Sequence, residues 1–483
     1  MQLFVVQRIL GILLMVFSVT MLPPLLVSWI YSDGASAAFF DGFALTLSMG
    51  VLFWGPVRNQ KKELRLRDGF MVVIMFWTVL GLTGSLPFVL AENPQMSITD
   101  SIFESISGLT TTGATVIVGL DALPQSVLYY RQQLQWLGGM GIIVLAVAVL
   151  PMLGIGGMQL YRAETPGPMK DTKLTPRITE TAKALWYIYL GLTVTCSLGY
   201  WAAGMSLFDA ICHAFSTVAI GGFSTHDASM GYFDSRLIEM IAVVFMLLAG
   251  VNFALHFIAL RQRNLLVYFG DSEFRYYLTN MAVITVVVIL TLYSSGTYKT
   301  WDQSIIQGVF QTVSIGTTAG FTTADYSAWP AFISILLLFS SFVGGCAGST
   351  GGGIKVIRYV LLIKQGVREI FRLIHPSAET PIRLGGKTIS PRVVEAVWGY
   401  FSLYVASFIL MYLALMLTGL DVTTAFSAVA ASINNLGPGL GEVGLNYASL
   451  SDPAKLILCF AMVLGRLEIF TLLVVLSPAY WSK

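Results

Sequence analysis

Thr110-Thr111-Thr112-Gly113-Ala114, Ala219-Ile220-Gly221-Gly222-Phe223, Thr317-Thr318-Ala319-Gly320-Phe321 and Asn434-Asn435-Leu436-Gly437-Pro438 decide how this chain is read. Each segment centres on glycine, follows an amphipathic stretch and precedes a long apolar one, at intervals of roughly a hundred residues. Four such units in one chain can fold around one axis and present four glycine loops to one another. Rings of backbone carbonyls built this way can replace the hydration shell of a monovalent cation. Glycine suits the task because turning successive carbonyls to one side demands backbone angles that side chains resist. Thr110, Thr111, Thr112, Thr317 and Thr318 add hydroxyl oxygens on the same strands. Ordinary Gly/Thr turns between helices are the plainer alternative, and their recurrence on one side of a membrane weighs against it.

Composition places the chain in a bilayer. Of its 483 residues 55% are apolar and 11% charged, where soluble domains carry about 25% charged residues. Mean hydropathy is +0.75. Apolar runs long enough for about 30 Å of hydrocarbon recur from end to end. A first pair covers 3–30 and 36–55. Four further pairs cover 69–92 with 127–153, 182–204 with 236–260, 277–296 with 328–374, and 393–418 with 454–479. The length of the first run, its Pro23-Pro24 ending and the lack of a small-residue cleavage site favour a retained helix over a signal peptide. Cys196, Cys212, Cys346 and Cys459 stand singly among apolar residues and are expected to pack helices.

The basic residues orient the chain. Of 28 Lys and Arg, five lie in 58–67, five in 162–183, three in 261–275 and eight in 355–392. The alternate connections are read as holding Arg131, Arg236, Lys299 and Lys455. The positive-inside rule then puts both termini in the cytoplasm and all four glycine segments toward the outer face. Before each glycine comes a stretch too short to span: Ile102 to Thr110, Leu207 to Val218, Ile305 to Ile315 and Val422 to Ile433. As helices these enter from outside, stop part-way and point their partly negative carbonyl ends at the centre, which favours a cation. Asp100 and Asp209, each 13 residues before its glycine, are expected to cap them, whereas Asp302 and Asp421 stand 18 and 16 residues back. Irregular backbone at this depth is tolerated where it lines water or is buried in protein.

Two further features stand out. Gly344-Gly345-Cys346-Ala347-Gly348-Ser349-Thr350-Gly351-Gly352-Gly353 interrupts the apolar run after the third glycine segment. So many glycines cannot sustain a helix at about 1 kcal/mol each relative to alanine. The stretch reads as a flexible loop under the glycine segments, a candidate gate; a close small-residue packing seam is the alternative. A phosphate loop is disfavoured, since Gly-Lys-Ser/Thr is absent. Arg466 lies within the last apolar run, where a charge must face the bundle interior or water. It is expected beneath the glycine segments, as a barrier or as a latch on the glycine-rich loop. A structural pair with Glu468 competes, though residues two apart on a helix point in different directions. His213, His226, His256 and His375 form no metal-ligand spacing. Glu104 could tune cation entry or simply be buried against neighbours.

The fourfold repeat of helix, half-helix, glycine loop and helix, behind two extra helices, resembles the Trk/Ktr/HKT superfamily of cation transporters over nearly the whole chain. The extra helices, Gly344 to Gly353 and Arg466 are similar to its bacterial potassium-uptake subunits. The resemblance implies an all-α polytopic membrane protein: two N-terminal transmembrane helices in 1–60 and pore units at 61–160, 161–265, 266–385 and 386–483, the third with a broken second helix. It implies a potassium filter at Thr111, Thr112, Gly113, Ile220, Gly221, Gly222, Thr318, Ala319, Gly320, Asn435, Leu436 and Gly437. The ion would be held at Thr112, Gly113, Ile220, Gly221, Thr318, Ala319, Asn435 and Leu436. It implies a gate at Gly344, Gly345, Gly348, Ser349, Thr350, Gly351, Gly352, Gly353 and Arg466. In plant relatives a serine at the first filter glycine accompanies sodium transport, so Gly113 favours potassium; the fourth loop departs most from the threonine-rich pattern.

No covalently bound cofactor and no nucleic acid are expected. The resemblance implies a homodimer in the bacterial inner membrane and a cytoplasmic TrkA-like ring that brings ATP, ADP or NADH to the complex. With the last run ending near Lys483 and no nucleotide fingerprint on any loop, control is expected from the ion gradient or another polypeptide, and 355–392 is a candidate docking face. Channel-like permeation is favoured over proton- or sodium-coupled symport, because no carboxylate relay crosses the apolar runs. A carrier of a small organic solute would show inverted repeats and a polar midplane site, and an enzyme would show a nucleophile–base or metal constellation.

Overall fold

The computed structural model describes residues 2–60, 65–141, 178–378 and 380–482. The expected 127–153 run beyond Gly141, and the basic positions at 61, 62 and in 162–177, lie outside the described residues. Among the described residues, five helical segments are long and apolar enough to cross a membrane, or seven if two sharply bent pairs each count once. The N-terminal span is Leu3–Tyr31. Pro23 and Pro24 do not end it: they sit in the first turn of its second segment, Leu22–Tyr31, where a missing N–H costs little. Ser36–Trp54 packs back against the first segment. Among the described residues, a two-residue ladder, Arg383–Leu384 with Lys387–Thr388, is the one pairing of strands.

The four units share one plan. Their long first helices are Leu66–Thr83, Ile178–Ala202, Ser272–Ser294 and Pro391–Leu417. Short helices follow at Ile98–Leu109, Leu207–Ala219, Trp301–Gly316 and Val422–Ile433, then the glycine loops. The second helices begin at Gln125, Arg236, Ala331 and Asp452.

What starts the short helices differs from the expectation. Ser97, Ser206, Thr300 and Asp421 are the caps, each side chain accepting from a backbone N–H two or three residues on. Asp100 and Asp209 lie three residues inside, bonded to the hydroxyls of Ser97 and Ser206, where a negative charge still complements the helix dipole. Asp421, 16 residues before its glycine, is itself a cap. Measured from the cap, three units agree, with sixteen residues to the glycine (97 to 113, 206 to 222, 421 to 437), and the third has twenty (300 to 320). The difference is about one helical turn.

Closure comes from packing between units. The second helix of unit one lies on the short helix of unit two, and the same relation holds from two to three, three to four and four to one. Each unit therefore shelters the next unit's short helix, and the fourth completes the circle.

The second helices also break. The interruption after Val343 was expected. The apolar runs 236–260 and 454–479, read as continuous, are bent as well: Arg236–Ala249 meets Phe253–Gln262 at 95°, and Asp452–Arg466 meets Phe470–Leu476 at 113°. Glu468 and Ile469 carry the second bend with φ of 52° and 58°. Breaks free backbone groups that need partners inside a bilayer, and those partners lie in the candidate site.

Candidate functional site

All four short helices end in the same way. The N–H groups of Thr112, Gly221, Ala319 and Leu436 reach five residues back, to Ser107 O, Ser216 O, Ser314 O and Ala431 O, at 2.7–2.9 Å. The residues before them, Thr111, Ile220, Thr318 and Asn435, bond three residues back at 3.0–3.2 Å and have φ of 56°, 53°, 71° and 53°. This is the Schellman end, in which the left-handed position is usually glycine. Here it carries a side chain, β-branched in three of four, which L-residues resist. Gly113, Gly222, Gly320 and Gly437 follow at φ of 82°, 77°, 81° and 92°, so left-handed residues stand on both sides of one that is not. Alternating handedness turns successive carbonyls to the same side, which an oxygen-lined conduit requires.

The loops touch in order around a ring. A Cβ on Gly113 would stand 2.1 Å from Gly221 O, and one on Gly222 2.1 Å from Ala319 O. On Gly320 it would stand 2.0 Å from Leu436 O, and on Gly437 2.8 Å from Thr112 O, which returns to the first loop. Each glycine thus lies against the carbonyl before the next unit's glycine. Gly113, Gly222 and Gly320 keep partial solvent access while Gly437 is buried.

The threonine hydroxyls counted from sequence as oxygens for a cation each have a protein partner. Thr110 and Thr317 turn back onto Ile106 O and Val313 O, both at 2.7 Å. Thr112 Oγ1 accepts from Asn435 Nδ2 at 2.9 Å, joining units four and one. Thr111 Oγ1 accepts from Arg466 and Thr318 Oγ1 from Gly352 N. Asn434 is braced by Tyr404 Oη at 2.6 Å. The fourth loop's departure from the threonine pattern is thus filled by amides that hold neighbouring units.

Arg131 is not in a connection, where the orientation reading put it, but inside the apolar run that begins at 127. It lies within the helix Gln125–Gly139, fully buried, with Nε donating to Glu104 Oε1 at 2.7 Å. Its other nitrogens donate to Ser224 O at 3.0 Å and Thr115 Oγ1 at 3.1 Å, and it stacks over Phe223. Glu104 also accepts from Val116 N. The pair braces the segments just beyond the first two glycines, and Glu104 is buried against its neighbours. An acid and a base in neighbouring membrane helices was the available signal. On the same side His226 bonds Asp121 Oδ1 at 2.5 Å and lies 3.5 Å from Asp209 Oδ1. Burial opposes its charge, but the two carboxylates outweigh burial and raise its pKa.

Below the ring sits the segment 344–355, and its glycines serve close approach as well as breaking the helix. A Cβ on Gly352 would stand 1.9 Å from Asn434 O. Gly352 N donates to Thr318 Oγ1 at 2.7 Å, Gly353 N to Asn434 O at 3.1 Å and Thr350 Oγ1 to Val218 O at 2.9 Å. The segment therefore ties the undersides of units two, three and four, while Cys346 N satisfies Gly250 O at the bend of unit two. Arg466 completes the tie: it donates to Thr350 O and Thr111 Oγ1, both at 3.2 Å, and to Gly138 O at 2.5 Å. Glu468 pairs with Arg358, on the helix that follows the segment.

Four interlocked units closing a ring of glycine loops, built from membrane-length apolar helices, define a polytopic membrane protein of the transporter class rather than an enzyme. The profile of a family described as "TrkH: Cation transport protein" matches residues 35–483. "Trk system potassium uptake protein TrkH" of Vibrio parahaemolyticus is 58% identical over 485 residues and that of Escherichia coli 55% over 478, with 100% and 99% of both chains covered. "Trk system potassium uptake protein TrkG" of Escherichia coli is 42% identical. The crystal structure of the potassium transporter TrkH from Vibrio parahaemolyticus superposes with a TM-score of 0.91 over 100% of both chains. The chain belongs to the TrkH family of cation transport proteins.

Proposed function

We propose that this chain carries potassium inward across the bacterial inner membrane through one pore. Its filter is the ring of backbone oxygens at Thr111–Gly113, Ile220–Gly222, Thr318–Gly320 and Asn435–Gly437. The observation that carries this reading is the cyclic order of approach, glycine to carbonyl, from unit one through unit four and back. Full-length relatives that are potassium-uptake proteins by name support the choice of ion. The segment 344–353 and Arg466 act as the gate: they stand under the ring, bonded to three loops, and the guanidinium adds a positive charge on the path of a cation. Both termini face the cytoplasm, and the basic stretch 355–392 receives a TrkA-like nucleotide-binding ring that controls the gate of a homodimer.

Purified protein in liposomes tests the reading through potassium, sodium and sorbitol fluxes measured in parallel. Potassium flux exceeding sodium flux, with sorbitol retained, is the expected result. Sorbitol flux without potassium flux would contradict it.

A further inference from the structure

Resting on that reading of the ring as an ion filter, we propose that Gln135 is a positioning residue that sets potassium-over-sodium discrimination, by aiming and pinning the carbonyl of Gly221. Gln135 lies one turn beyond Arg131 on the helix Gln125–Gly139 and is fully buried. Its Nε2 donates to Gly221 O at 2.6 Å and its Oε1 accepts from Phe223 N at 3.1 Å. One planar amide thus grips the two peptide groups that flank Gly222. The reverse orientation of the amide would set oxygen against oxygen and N–H against N–H, so the network fixes which end is which.

Gly221 O is the oxygen that a Cβ on Gly113 would approach to 2.1 Å, which places it at the seam between the first two loops. Thr112 O, Ala319 O and Leu436 O hold the matching seams. The other loops have Thr112, Ala319 and Leu436 before the filter glycine, and the second has a second glycine. Its φ is not left-handed, so backbone conformation does not demand glycine there. Gln135 fills that space instead: a Cβ on Gly221 would stand 2.4 Å from the amide carbon, so a larger residue there displaces the amide. Gly221 and Gln135 form a matched pair.

The chemistry follows from what separates the two ions. Sodium is smaller, and a filter that binds it well must let its oxygens close inward; whether cavity size or oxygen field strength dominates, both depend on the carbonyl's freedom and charge. A donated hydrogen bond holds Gly221 O back and draws on its electron density, so both effects act against sodium. The adjacent Gln132 Nε2, on Phe223 O at 3.2 Å, steadies the same strand from behind.

The test uses the full chain in liposomes, with potassium, sodium and sorbitol fluxes read side by side. Gln135→Met keeps the length of the side chain and removes both polar ends. It is expected to keep potassium flux while the potassium-to-sodium ratio falls roughly five- to tenfold, the scale of one lost hydrogen bond. Gly221→Ala, with its methyl driven into the amide, is expected to lose flux. Gly221→Ala combined with Gln135→Ala is expected to recover flux with the low ratio. Wild-type selectivity in Gln135→Met, or flux that falls with the ratio unchanged, overturns the assignment and leaves the filter reading intact. Failure of both the Met variant and the double variant to give monodisperse protein overturns it in favour of a purely structural role. Wild-type vesicles that do not favour potassium, or that pass sorbitol, overturn the filter reading itself.

Discussion

At the scale of single residues, the backbone holds its least comfortable angles where the loops meet. Thr111, Ile220 and Thr318 adopt left-handed φ with β-branched side chains, at roughly 1–2 kcal/mol each. Strain of this kind persists where the surroundings over-determine it and clusters at functional sites. The helix-end hydrogen bonds above each residue and the next unit's loop beside it supply that determination. Arg466 is the other residue on which the account leans. At a separation of roughly 10 Å and an effective dielectric of about 20, a unit charge opposes a monovalent cation by about 1.7 kcal/mol, more than a tenfold effect on occupancy. Arg466→Gln is therefore expected to raise potassium flux into liposomes by about tenfold. Flux equal to wild type would remove the barrier role and leave Arg466 as a brace for Gly138 O and Thr350 O.

At the scale of elements, the caps set where each short helix begins and therefore how deep its loop sits. Replacing Ser206 or Asp421 with alanine is expected to cost about 1 kcal/mol and to lower the melting temperature in detergent. An unchanged melting temperature in both variants would show that packing alone fixes those helix starts. The repeat was legible in the sequence because glycine at fixed order and apolar length are direct consequences of the architecture. The caps were half legible: Ser97 and Ser206, each three residues before an aspartate, form a capping signature, but the equal spacing of Asp100 and Asp209 from their glycines points to the aspartates instead. The bends in 236–260 and 454–479 were not legible. A single glycine in an apolar run is weak local evidence, and tertiary contact decides the outcome: at Gly465 a Cβ would stand 2.0 Å from Ile433 O. Arg131 differs: it stands inside the run 127–153 but only a few residues from its start, where a charge also suits a connection, and its buried pair with Glu104 decides between the two.

At the scale of the whole molecule, two independent relations close the same circle. Second helices shelter the next unit's short helix all the way round, and loop glycines meet the next unit's carbonyls all the way round. Neither closure follows from a single unit, which explains why composition and run lengths led to a membrane protein while only the fourfold repeat led to a pore. The extra turn in the third short helix and the Gln135 grip on the second loop make the ring chemically unequal while its topology stays fourfold. The measurement that bears most directly on the central claim is anomalous diffraction from crystals of this protein soaked in thallium(I), a potassium substitute. The account predicts a peak on the axis, among the carbonyl oxygens of Thr112, Gly221, Ala319 and Leu436. Thallium bound away from that axis, with nothing between those four oxygens, would contradict it.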